Sequence, residues 1–200
     1  MRVKHAYLAH GEKNTVSENV DPIIRARLVA RGFEETANIR KDSPTCSKNA
    51  FRCFLSISAA KKWAIESTDI KSAFLQGELL DRDIYVEPPP EAKQEGVIWR
   101  LNKCIYGLND ASRKWFKKVE SELIALGCIQ CKLDPAVFIY LVHGELRGII
   151  LLHVDDFLHI GELIFKKNVV TSITEYLPGR QNSVWRFQLP WVRNHSVWTG

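Results

Sequence analysis

No apolar run in this chain approaches the roughly 20 residues that a helix needs to cross a bilayer, which argues against a helical membrane span. The N-terminus has no apolar core of the signal-peptide kind. Cysteine is scarce and odd in number, five in all, at positions 46, 53, 104, 128 and 131. Together these absences predict reduced thiols inside a cell, in cytoplasm or nucleus, rather than a disulfide scaffold. Cys128 and Cys131 form one C-x-x-C in GCIQCKLDP, but no second pair stands at zinc-ribbon spacing, so structural thiols are favoured over metal ligands. There is no internal repeat and no low-complexity segment. Charge is not extreme either: the net value is +5 and the pI is near 9.0. Such a basic lean suits a nucleic-acid partner without requiring one.

What remains is an ordinary globular composition, 46% apolar and 26% charged over 200 residues, enough for one domain with a real core. Residues 1–22 are polar and aperiodic and predict an irregular lead-in. Ile23 to Phe33 reads as a strand with Arg25, Arg27, Val29 and Arg31 on one face. Ser47 is placed to cap a helix over about 49–62, with Phe51, Phe54, Leu55 and Ala59 at helical spacing. Strands are predicted at 63–70, 83–87 and 97–101. A helix capped by Asn109 or Asp110 should run to Leu126 along Ala111, Trp115, Val119 and Leu123. Residues 136–142 and 147–154 read as a hairpin about His143-Gly144, and 163–177 as a last helix closed by Pro178-Gly179. Intermixed helices and adjacent hairpins predict an α+β fold with an antiparallel sheet.

An acidic pair within apolar surroundings is the chemical centre of the sequence. In IILLHVDDFLHIG (149–161), Asp155 and Asp156 lie between two strand-forming runs, and Asp69 has similar company in TDIKSAFLQGEL (68–79). Carboxylates in such a setting lose hydration and repel each other unless a cation compensates. If Val154 and Asp155 bend a tight hairpin, the pair sits at the tip of a sheet, where Asp69 can approach from a neighbouring strand. Such acids suit Mg²⁺ and a two-metal phosphoryl-transfer site. The plainer alternative is a turn with solvated acids.

Six blocks in order decide between them: RARLVARGFEE (25–35), DIKSAFLQGEL (69–79), DIYVEPPPE (83–91), VIWRLNKCIYGLNDASRKWF (97–116), CKLDPAVF (131–138) and HVDDFLHIG (153–161). Together they closely resemble the reverse transcriptase domain of Copia-type (Ty1/Copia) long-terminal-repeat retrotransposons, over roughly residues 23–177. The resemblance implies a right-hand polymerase fragment with fingers and palm, an antiparallel palm sheet flanked by helices, and no thumb. It implies Asp69, Asp155 and Asp156 as the catalytic acids and ligands of two Mg²⁺ or Mn²⁺ ions, with the Ile70 carbonyl as a further contact. Asp69 and Asp155 would bridge the metals, Asp156 less directly. Partners would be an RNA or DNA template-primer and dNTPs.

On the same resemblance Phe74 is a steric gate against a ribose 2′-hydroxyl, Arg27 and Arg31 contact triphosphate or template, and Tyr106-Gly107 line the nascent base pair. Each has a plainer alternative: core packing for Phe74 and Tyr106, a solvated strand edge for the arginines, and packing for Trp115 in a helix of interleaved basic and aromatic residues. Departures from the family pattern are His153 where tyrosine is usual, and Ala111-Ser112 where a small residue and proline are common. Beyond about Phe187 the pattern stops. Residues 178–200 are therefore left unassigned, and a frameshift there would account for the change. The functional expectation is an RNA-directed DNA polymerase fragment, the alternative a catalytically inactive remnant that binds nucleic acid electrostatically.

Overall fold

The computed structural model describes residues 4–13, 23–35, 39–92, 95 and 97–177. The tail at 178–200, with the expected Pro178-Gly179 helix stop, lies outside the described residues. The chain divides into two compact units, Met1–Ser43 with Ser72–Ser121 and Pro44–Lys71 with Glu122–Gly200.

The first unit holds a four-stranded sheet in the order β2-β1-β4-β5, from β1 (Lys4–Lys13), β2 (Ile23–Ala30), β4 (Leu79–Glu87) and β5 (Trp99–Lys103). β1 occupies much of the segment expected to be irregular. Its aperiodic sequence gives no strand signal, but β2 supplies an antiparallel ladder from Ala6↔Ala30 to Lys13↔Ile23, and tertiary pairing overrides local preference. β2 is shorter than expected, because the chain turns into a 3-10 segment at Gly32–Glu34. A Cβ on Gly32 would lie 2.0 Å from the Gly107 carbonyl oxygen, so the two backbones meet where no side chain fits. The core gathers Ala30, Ile84, Val86, Cys104, Ile105 and Leu108, with Phe74 packed against it.

The second unit is a five-stranded sheet in the order β3-β9-β8-β7-β6, with every neighbouring pair antiparallel. Its strands are β3 (Glu66–Asp69), β6 (Ile129–Gln130), β7 (Val137–Val142), β8 (Glu145–His153) and β9 (Asp156–Gly161). Helix α1 (Lys48–Lys61) begins as expected at Ser47, whose hydroxyl accepts from the Ala50 amide at 3.2 Å. Phe54 of α1 packs on one face of the sheet with Ile149, Leu151 and Ile160. The last helical run, α3 (Leu163–Phe165), a π-helical segment (Lys166–Thr171) and α4 (Ser172–Tyr176), sets Phe165 on Gly148 and Gly161 of the other face. Both faces of β8 are therefore covered, which explains its unbroken apolar run.

That slot is tight. A Cβ on Gly148 would fall 2.1 Å from Cγ of the fully buried Phe165. Gly148→Ala is expected to destabilise the protein by about 1–3 kcal/mol through overpacking, read as a lower urea midpoint. An unchanged midpoint would mean that the ring has room to move.

Helix α2 (Ala111–Ala125) buries Ala111, Trp115, Val119 and Leu123 as its spacing predicts, so Trp115 is a packing residue. All five cysteines are free thiols. Burial pushes the thiols of Cys104 and Cys128 up to about 12, with Asp110 adding to the rise at Cys104. No helix among the described residues is long and apolar enough to cross a membrane.

Candidate carboxylate site

Three strands of the second unit bring the acids together. β8 and β9 join through a two-residue turn at Val154 and Asp155, with His153 paired across to Asp156. β3 runs antiparallel to β9 and sets Asp69 directly opposite Asp156. Residues in register on adjacent strands share a face and lie about 4.5–5.5 Å apart at Cα. Asp69, Asp156 and His153 thus form a row at one end of the sheet, and Asp155 occupies the turn beside them. Val154 takes φ +57°, a left-handed conformation that costs a β-branched residue of order 1–3 kcal/mol.

The strands behind are buried, but the acids stand at the open lip: Asp69 and Asp156 are exposed and Asp155 is half-buried. Desolvation, then Asp155, then Asp69 push the Asp156 carboxyl above its usual range, while His153 pulls it down. The acids therefore feel one another, and none is ion-paired with a described lysine or arginine. Among the described residues no group of three or more His, Cys, Asp and Glu side chains is drawn together closely enough to hold a metal ion as oriented. The donor set still fits a hard divalent cation, because it offers mutually repelling carboxylate oxygens with no described lysine or arginine against them.

Ile70, expected to offer a carbonyl, is buried immediately after β3. Beneath the row lies a polar cluster that sequence reasoning did not assign. His159 and Thr68 are both buried and 3.1 Å apart, and Glu66 accepts from Lys166 at 2.7 Å. The available signal was His159 itself, a polar residue within an otherwise apolar strand. Desolvation pushes its imidazole down to about 4, with Glu66 raising and Lys166 lowering it.

The other expected site residues belong to the first unit. Arg27 lies over the Tyr106 ring at 5.5 Å, and Phe74 meets the same ring edge-on at 5.2 Å. Gly107 takes φ +86°, and its close approach is to its own chain, since an added Cβ would lie 2.1 Å from the Ala30 carbonyl oxygen. Arg31 stands past the end of β2 and pairs with Glu34 at 3.8 Å, so it does not continue the strand face of Arg27. The Arg25 side chain lies outside the described residues.

With the acids on one sheet lip, comparison with known proteins identifies the class. Residues 7–174 match the family model described as reverse transcriptase (RNA-dependent DNA polymerase), and the chain belongs to that family. The match begins within the expected lead-in, in agreement with β1. The curated relatives are Pol polyproteins of Ty1/Copia-type retrotransposons. The chain is 35% identical over 144 residues to the retrovirus-related Pol polyprotein from transposon TNT 1-94 of Nicotiana tabacum, covering 69% of this chain and 11% of that protein. It is 31% identical over 143 residues to the Pol polyprotein from transposon RE1 of Arabidopsis thaliana, covering 68% and 10%. With the truncated transposon Ty1-A Gag-Pol polyprotein of Saccharomyces cerevisiae it shares 28% over 153 residues, covering 74% and 12%. The chain thus spans about a tenth of the length of these relatives. No solved structure matches it.

Proposed function

We propose that this chain is the fingers-and-palm part of an RNA-directed DNA polymerase, extending a primer 3′-hydroxyl on an RNA or DNA template. The observation that carries this reading is the convergence of Asp69, Asp155 and Asp156 at one lip of an antiparallel sheet, in a chain of this family. Asp69 and Asp155 would hold two Mg²⁺ or Mn²⁺ ions, with the Ile70 carbonyl as a further ligand and Asp156 adjusting the local charge. When bound, such ions lower the pKa of the attacking hydroxyl and neutralise charge on the leaving pyrophosphate.

The remaining expected contacts lie in the first unit. Arg27 and Arg31 meet triphosphate or template phosphate, which guanidinium suits through paired donors. Phe74 rejects a 2′-hydroxyl by overlap, its ring steadied by the edge contact with Tyr106, and Tyr106-Gly107 line the nascent pair. Catalytic decay is the competing reading. It draws on His153, an exposed imidazole paired across to Asp156.

Primer extension on poly(rA)–oligo(dT) with Mg²⁺ and with Mn²⁺ tests the assignment, with Asp155→Asn as control. Extension by the full chain, lost in the control, is the expected result. Folded protein that extends with neither metal would establish the remnant.

A further inference from the structure

β3 presents Asp69, yet its own residues offer no apolar side chain to fix its register. They are Glu66, Ser67, Thr68 and Asp69, and the strand lies at the sheet edge with β9 as its one strand neighbour. Strands polar on both faces are prone to slippage, and a slip of one residue turns every side chain to the opposite face. Ile65 and Ile70 are buried just outside the strand, but apolar burial is non-directional and tolerates small displacements.

The directional contacts lie on the face opposite the acids. His159 is directly across from Glu66 and diagonal to Thr68. Its Nε2 lies 3.1 Å from Thr68 Oγ1, with both residues 3% exposed or less. Its Nδ1 has no hydrogen-bond partner among the described atoms and faces Glu66 Oε2 at 3.9 Å. The other Glu66 oxygen accepts from Lys166 of the π-helical segment. A neutral imidazole carries one N–H. With the Thr68 hydroxyl donating to Nε2, that proton stays on Nδ1, towards the Glu66 carboxylate.

We propose that Thr68, His159, Glu66 and Lys166 form a register lock, positioning residues that hold β3 on β9 so that Asp69 faces Asp156. The consequence for catalysis rests on the polymerase reading; the register itself does not.

The test is NMR on the isotopically labelled full chain, comparing wild type, Thr68→Ser and the double variant Thr68→Val/His159→Leu, with Mn²⁺ as the metal probe. Wild type should show cross-strand contacts between Asp69 and Asp156 and an Nδ1-protonated His159. Removing both buried polar partners together is nearly neutral for stability, so the double variant should unfold close to the wild-type urea midpoint. Its Asp69–Asp156 contacts should vanish or split into two sets. Where Mn²⁺ broadens the Asp69 amide, the concentration required should rise at least about tenfold, the usual cost of losing groups that orient metal ligands. Thr68→Ser, which keeps the hydroxyl, should restore both.

A double variant that keeps one wild-type set of cross-strand signals overturns the proposal. So does an Nε2-protonated His159 in wild type, a measurement that needs no variant to fold. If the Asp69–Asp156 signals vanish in the double variant while Mn²⁺ broadens the amide of no protein, the lock stands and the metal-dependent reading falls instead.

Discussion

Replacing Asp69 by asparagine is expected to reduce primer extension by about a thousandfold or more while leaving the fold as stable as wild type, or slightly more so. On the proposed polymerase reading, the lost rate follows from removing a charge that would face the reacting groups, where single pre-organised electrostatic partners are worth about 10²–10³ in rate and a bridging ligand more. The retained stability follows from the site itself. Asp69 is exposed and has no described lysine or arginine against it, and after desolvation and Asp155 it adds to the rise of the Asp156 carboxyl above its usual range. A carboxyl raised in the folded state binds more protons there than in the unfolded chain, so stability grows as pH falls through the folded pKa and levels off below about 3.9, the unfolded value. The neutral amide removes part of that repulsion. The variant should therefore show a flatter stability profile between neutral pH and pH 4. Urea unfolding at both pH values, run beside the extension assay, checks the pair of effects. Wild-type extension by Asp69→Asn, or its failure to fold, would sink the assignment.

The acids stand at a sheet end, and that much was legible in the chain. Apolar runs on either side of Asp155 and Asp156 predicted a hairpin with its bend at Val154 and Asp155, and the bend lies there. Ser47 announced α1, and the spacing of Ala111, Trp115, Val119 and Leu123 announced the buried stripe of α2. The misses have non-local causes. β1 exists because β2 pairs with it, and nothing within Lys4–Lys13 advertises that partner. Arg31 leaves the strand because Gly32 must pass Gly107, some seventy positions away in sequence. The sequence placed Asp69 on a strand beside the acidic pair, and the register adds that it stands opposite Asp156. Periodicity gives the face of a strand, but only pairing gives the residue across from it. Asn109 or Asp110 was expected to cap α2. The Asn109 side chain donates to the Gly32 carbonyl at 2.9 Å. The Asp110 carbonyl does accept from the Lys114 amide at 2.9 Å, but its carboxylate is bound by Arg82.

That ion cluster yields the other large effect: Arg82→Met is expected to destabilise the protein by about 3–5 kcal/mol, the usual cost of stranding a buried charge. Arg82, on β4, gives its Nε and Nη2 to Glu35 Oε1, each at 3.0 Å. Its Nη1 and Nη2 bind the two Asp110 oxygens at 2.6 and 2.8 Å. The carboxylate side chains are only 5% and 3% exposed, so removing the guanidinium leaves two anions with little water to replace it. Lysine should not rescue the loss, because a single ammonium cannot reproduce a fork that bridges two acids. The pH dependence tells charge from packing. Burial pushes the Asp110 carboxyl up, yet the hydrogen bonds and charge of Arg82 outweigh it and hold the group below its usual range. A depressed folded pKa contributes stability above the unfolded value of about 3.9, and that contribution is lost as pH falls through the folded pKa. The gap between wild type and Arg82→Met should therefore be widest near pH 7 and narrow below about pH 4, as the Asp110 carboxylate takes up its proton. Urea midpoints at neutral pH and under acid conditions measure it. A gap that stays constant into acid would mean that the arginine acts through its aliphatic stem and not through its charge.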